Sequence, residues 1–196
     1  MKYYTEIAMT AALLLMIMIL CCGQFFAAAQ RAQEEVLRLH ILANSDSEED
    51  QQLKLLVRDH ILQEVSEWFL SETDRNTVER IIQQRLAEIT VLAQERVKEE
   101  GYDYPVSVQL CHSDFPTREY DGFTLPAGDY DALRILIGEG KGQNWWCIMF
   151  PPLCVPTALS GESAAWFEEH GLELLEQEPC FEPRFALLEW WQQIHK

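Results

Sequence analysis

The chain has 196 residues, long enough for one domain with a sizeable core and short for two. It carries 15 Lys and Arg against 32 Asp and Glu, a net charge of −17. Such a surface repels polyanions and argues against binding to nucleic acid or anionic lipid.

The first element is apolar. Lys2 precedes a hydrophobic run over residues 7–22, and Ala27-Ala28-Ala29-Gln30 follows. A positive charge, an apolar stretch and an Ala-x-Ala site describe a signal peptide. Counted to Ala29, the run also reaches the roughly 20 apolar residues that span a bilayer. Residues 1–29 are therefore a signal peptide or an uncleaved membrane anchor, and residues 30–196 form a domain outside the cytoplasm. Leu20 and Cys21 do not supply the small residue wanted before a lipidated cysteine, which disfavours a lipoprotein. Lys2 and Glu6 cancel, so the remainder keeps the full net charge of −17.

Residues 36–42 alternate Leu37, Leu39 and Ile41 with Arg38 and His40, the period of a half-buried strand. Ser45-Asp46-Ser47-Glu48 then matches a capping box, with Ser45 as the cap. The helix that follows places Leu53, Val57, Ile61, Val65 and Trp68 on one stripe. After a break at residues 71–76, Val78, Ile82, Leu86, Ile89 and Ala93 mark a second helix, which Gly101 terminates.

Beyond Gly101 the period changes to two. Val106, Val108 and Leu110 mark a second strand, and residues 114–129 are a polar, hairpin-like stretch. Leu133, Ile135 and Ile137 mark a third strand, and residues 145–150 a fourth. Helical patterning returns over residues 163–176 and 183–194. The expected fold is a single α+β domain, with helices packed on a mainly antiparallel sheet after the N-terminal signal or anchor helix.

GEGKGQNWWCIMFPPLC, residues 138–154, joins the third and fourth strands. A Walker loop needs Ser or Thr directly after Gly-Lys, whereas Lys141 is followed by Gly142 and Gln143. A dinucleotide fingerprint leads into a helix, and this segment leads into a strand. Glycine here suits a tight connection. Cys147 and Cys154 flank Pro151-Pro152; in an oxidising compartment they either pair across that turn or stay buried as thiols.

The sequence offers little catalytic chemistry. It has no Gly-x-Ser-x-Gly elbow, no Cys-x-x-Cys and no His-Glu-x-x-His, so neither a metal nor a cofactor is expected. His112 follows Cys111, but strand neighbours point to opposite faces. The one dense polar group is His40, Asn44, Asp46, Asp50, Lys54, Arg58 and Asp59. It reads either as a capped, ion-paired helix, whose i,i+4 pairs are worth only about 0.2–0.5 kcal/mol each, or as a functional surface.

Two segments, LRLHILANSDSEEDQQLKLLVRDHIL and GEGKGQNWWCIMFPPLC, resemble the two signature blocks of the stage II sporulation protein R family. In the first, the match is carried by His40, Ala43, Asn44, Ser45, Asp46, Asp50, Gln51, Lys54, Val57, Arg58 and Asp59. In the second it is carried by Gly138, Gly140, Gly142, Asn144, Trp145, Trp146, Cys147, Phe150, Pro151, Pro152, Leu153 and Cys154. The likeness runs over residues 36–196 in overall order and is specific in the two blocks. Residues 155–182 are not distinctive, and Cys21, Cys22, Cys111 and Cys180 lie outside the pattern.

The resemblance implies a non-enzymatic signalling protein of endospore formers, exported into the space between forespore and mother cell. There such a protein triggers a membrane-embedded aspartic protease of the mother cell, which processes a sigma-factor precursor, pro-sigma-E. It implies partner contacts at His40, Asn44, Asp46, Asp50, Lys54, Arg58, Asp59, Gly140, Gly142, Asn144, Trp145 and Trp146. Of the two tryptophans, which point to opposite faces of a strand, at most one packs in the core with ease. The alternative from another class is a secreted hydrolase with its site at His40, Asn44, Asp46 and Asp50.

Overall fold

A computed structural model of the chain describes residues 2–69, 72, 74–120, 123–151 and 172. These residues divide between two compact units. The expected helices over residues 163–176 and 183–194 lie outside the described residues.

The first unit contains α1 (Lys2–Glu35) as far as Ala32, together with residues 116–128. By length and composition α1 can cross a membrane. Its apolar residues Leu13, Met16 and Leu20 are exposed, whereas Phe25, Ala28, Ala29 and Ala32 are buried on one helical stripe. In the same unit β3 (Arg118–Tyr120) and β4 (Phe123–Leu125) pair as a short antiparallel hairpin.

The second unit, residues 33–115 and 129–151 among those described, is the α+β domain. It contains β1 (Leu37–Leu42), α2 (Glu48–Ser66), α3 (Arg75–Gln84), α4 (Leu86–Glu99), β2 (Val106–Phe115), β5 (Gly128–Ile137) and β6 (Asn144–Phe150). The sheet order is β2-β5-β1-β6. β1 runs parallel to β5 and antiparallel to β6, so the sheet is mixed.

Period-two patterning decides which way each strand faces. Leu37, Leu39 and Ile41 join Leu133, Ile135, Ile137, Cys147 and Met149 in one core with Leu53, Val57, Ile61, Val78, Ile82, Ile89 and Ala93 from the helices. Each such fully buried aliphatic side chain contributes roughly 1.5–3 kcal/mol, so this layer dominates the stability of the domain. The opposite face carries His40, Trp146 and Arg38, whose guanidinium lies 4.1 Å from the Phe115 ring centroid and 4.9 Å from that of Tyr130.

Two local expectations are corrected. The cap of α2 is Ser47, whose hydroxyl accepts from the Asp50 N–H at 3.2 Å. Ser45 does not serve there, because its hydroxyl is taken up elsewhere: it donates to the Asp50 carboxylate at 2.6 Å and accepts from the Ser47 N–H at 3.2 Å, before the helix begins. The second helix is broken at Arg85 into α3 and α4, and the Arg85 guanidinium lies 3.5 Å from the Trp68 ring centroid. Gly101 ends α4 as expected, at φ +85°, with the Tyr102 N–H donating to the Val97 carbonyl at 3.1 Å.

Candidate functional site

The sheet order brings the two sequence blocks together. Because β1 lies between β5 and β6, the loop from β5 to β6 must pass over the C-terminal end of β1. That is where residues 43–47 leave the strand for α2. The backbones meet directly: the Gly142 N–H donates to the Ala43 carbonyl at 2.9 Å, and the Lys141 N–H to the Asn44 carbonyl at 3.2 Å.

The glycines make this approach possible. Gly138 and Gly140 sit at φ +60° and +61°, where a side chain is strained. Gly142 has no such φ, yet a Cβ there would stand 2.1 Å from the Ser45 carbonyl oxygen. The loop is thus shaped to close on the first block, which accounts for its spacing without any phosphate.

Asp50 is the centre of the clasp. Its carboxylate, 3% exposed, accepts from the Asn44 amide at 2.9 Å and from the Ser45 hydroxyl at 2.6 Å. Burial works to raise the Asp50 carboxyl, but hydrogen bonds from Ser45, Asn44 and Tyr104 outweigh it and hold the group below the usual carboxylate range. Asn44 also reaches the second block, since its Oδ1 accepts from the Glu139 N–H at 3.0 Å.

Lys54 makes a second bridge. It is 4% exposed and donates to the Gln51 side chain at 2.5 Å and to the Gln143 carbonyl at 2.9 Å. Burial lowers its pKa, Asp46 opposes that and Arg58 adds to it. Gln51 in turn donates to the Ser45 carbonyl at 2.8 Å. Ser45, Gln51, Gly138, Gln143 and Tyr104 also take part, and side-chain chemistry does not single them out as site residues; the first four lie within the two blocks, Gln143 through its backbone carbonyl, and Tyr104 lies outside them.

The remaining residues lie around this clasp. Asp46 and Asp59 are exposed. Arg58 donates to Asp59 at 2.7 Å, and its guanidinium lies 4.4 Å from the Trp145 ring centroid. Trp145 packs against the core on the helix side, as the alternation of strand side chains requires. Trp146 points to the other face and stacks with His40, their ring centroids 6.0 Å apart.

His40 bonds Asn144 Oδ1 through Nε2 at 2.8 Å. An amide oxygen only accepts, so Nε2 carries the proton and Nδ1 the lone pair. Burial holds the His40 imidazole below its ordinary range, against the Asn144 hydrogen bond and with Arg134 and Arg38 adding to the effect. Among the described residues no His, Cys, Asp or Glu cluster has the arrangement to hold a metal ion. Cys147 is disulfide-bonded and Cys111 is free; Cys154, its expected partner, lies outside the described residues.

Comparison with known proteins bears on the same residues. The family model described as stage II sporulation protein R matches residues 33–159, a span that contains both blocks. A curated relative, stage II sporulation protein R of Bacillus subtilis (strain 168), is 42% identical over 130 residues. The match covers 66% of this chain and 58% of the relative, so it spans under two thirds of that protein's length. No solved structure matches.

Proposed function

Because the chain belongs to the stage II sporulation protein R family, we propose that it is an exported signal of sporulation. In this reading it activates a membrane-embedded aspartic protease of the mother cell, which then processes a sigma-factor precursor. Residues 1–29 direct export or remain as an anchor, and residues 30–196 act in the space between forespore and mother cell.

The observation that carries this reading is the match across both blocks, which the fold joins in one clasp. The apolar α1 supports the export step. Activation by binding requires only that the protein favour the active state of the protease over its inactive state. No bond need form or break on this protein.

Burial divides the proposed contact residues into two groups. Asp50 and Lys54 are buried and hold the clasp closed, so they act by shaping the surface. Asp46, Asp59 and Asn144 are exposed, and Arg58, Trp146 and His40 are partly so; in this reading these meet the partner, while Trp145 packs against the core. The hydrolase alternative is less well supported. His40 bonds Asn144 on one sheet face, while the Asp50 carboxylate is taken up by Asn44 and Ser45 at the strand end. A hydrolytic site needs its acid, base and nucleophile to converge.

The test is co-expression of protease and precursor, with and without this protein, in a host that does not sporulate. Cleavage that depends on this protein is the expected result. Equal cleavage in both strains would end the signalling reading.

A further inference from the structure

β2 lies at one edge of the sheet, and three contacts fix its register against β5. The Gly138 N–H donates to the Pro105 carbonyl at 2.8 Å. The side chains of Gln109 and Arg134 face each other across the pair, and His112 Nδ1 lies 2.6 Å from Asp131. One strand advances as the other retreats, in step, so the pairing is antiparallel and has no bulge over this span.

In an antiparallel ladder, alternate residues turn their N–H and C=O groups toward the neighbour. Pro105 and Gly138 are a bonded pair, so Ser107, Gln109 and Cys111 face β5. Val106, Val108, Leu110 and His112 face outward. Gln94 of α4 shows the same phase: its Oε1 accepts from the Val106 N–H at 3.0 Å, and its Nε2 donates to the Tyr104 carbonyl at 2.9 Å. The Gln94 amide thus stands where the peptide of a next strand would. Its cover ends there, and among the described residues no strand pairs with the outward groups of Val108, Leu110 and His112.

Soluble proteins usually blunt such an edge with Lys, Pro, a bulge or a short strand. β2 is 10 residues long, VSVQLCHSDF, and has none of these over the span whose register is fixed. Its chemistry also says what fits. The strand carries one acid, Asp114, and no Lys or Arg. The neighbouring segment, residues 86–103, holds Glu88, Glu95, Glu99, Glu100 and Asp103 against Arg96 and Lys98. At −17 each, two copies of this chain repel one another, whereas a basic segment is attracted. Beside the open groups, the 81%-exposed His112 side chain is held by Asp131, which Arg75 grips from α3.

We propose that the outer edge of β2, through Val108, Leu110 and His112, is a strand-addition site for an extended, basic segment of a protein partner. Backbone pairing supplies the affinity, as in other strand-addition complexes. The further step, that this segment belongs to the external region of the protease, rests on the function proposed above.

Amide hydrogen exchange on the full chain is the experiment, with and without an eight-residue peptide alternating valine with lysine and threonine. Alone, the amides of Val108, Leu110 and His112 should exchange at least tenfold faster than those of Gln109 and Cys111. The peptide should slow those three by tenfold or more, and its glutamate-for-lysine counterpart should not. Protection already complete in the free protein, or none gained with the peptide, overturns the proposal. The activation assay is then run with Val108→Pro, which removes an outward N–H and leaves the β5 ladder intact. Ser107→Lys and Ser107→Glu, at an exposed position, serve if the proline variant loses its fold.

The proline and lysine variants should lose activation, and the glutamate variant should gain it. A folded Val108→Pro protein that activates fully, or serine variants that shift nothing, removes the site and leaves the signalling reading in place. Peptide protection in a parent protein that stimulates no cleavage removes the signalling reading and leaves the site.

Discussion

Asn44 occupies the space that a side chain at Gly138 would need: a Cβ there would stand 2.2 Å from Asn44 Oδ1. Gly138→Ala therefore combines a left-handed backbone with a clash against a residue that also holds Asp50. Gly142→Ala meets the Ser45 carbonyl oxygen, which is backbone and cannot rotate away. Each should destabilise the domain by about 2 kcal/mol or more. Gly101→Ala, with φ +85° but open space, should cost only about 1 kcal/mol. Chemical denaturation at neutral pH orders the three.

Asp50→Ala leaves the Asn44 amide and the Ser45 hydroxyl without their acceptor, at a cost of about 1–3 kcal/mol. Its activation should fall in proportion to folded protein. Asp46→Ala removes an exposed side chain, should leave the melting temperature within a few degrees and should lower activation itself. Thermal melts run beside the cleavage assay separate the two. Equal loss per folded molecule in both variants would contradict this division.

The tryptophans should separate in the same way. Trp145→Ala removes packing against the core and the ring under Arg58, so it should lower stability by about 3 kcal/mol. Trp146→Ala should leave most of the stability and weaken activation by about 2 kcal/mol or more, as loss of an interface anchor does. Melting temperature and half-maximal activating concentration, measured on both variants, decide it.

Stability should fall with acid in two stages. The folded pKa of His40 is lowered, so the unfolded chain binds more protons once the pH drops below the free imidazole value of about 6.5. The contribution of His40 is thus complete above that pH and is lost as the pH falls through the lower, folded value. Asp50, also lowered, adds a second loss below about pH 4. Denaturation midpoints between pH 8 and 3 test this, and His40→Gln should flatten the first stage alone.

Alkylation without reductant should label Cys111 and spare Cys147, which is disulfide-bonded. Peptide mapping should recover Cys147 joined to Cys154. Linkage to another cysteine would overturn that pairing.

The strands were legible because a sheet buried on one face writes its period directly, as Leu37, Leu39 and Ile41 do. The break at Arg85 was not, because Leu86 and Ile89 continue the apolar spacing of Val78 and Ile82 without a Gly or Pro to mark it. The cap was misplaced for a related reason. Ser45 and Ser47 both suit the role, and what decides between them is the demand of the Asp50 carboxylate, a contact made only in three dimensions. The sequence names candidate residues but hides how they divide between buried and exposed positions. Asp46 and Asp50 look alike in sequence, yet Asp50 is buried against Asn44 and Ser45 while Asp46 is left in water. The parallel pairing of β1 with β5, which brings that loop over the strand end, has no local signature.

The measurement that tests the account most directly is precursor cleavage as a function of the concentration of this protein, at fixed protease. If the protein acts by occupancy, cleavage is absent without it, rises to a plateau and stops when it is removed. Cleavage at the plateau rate with no protein present would contradict the account, as would cleavage that persists undiminished after the protein has been withdrawn.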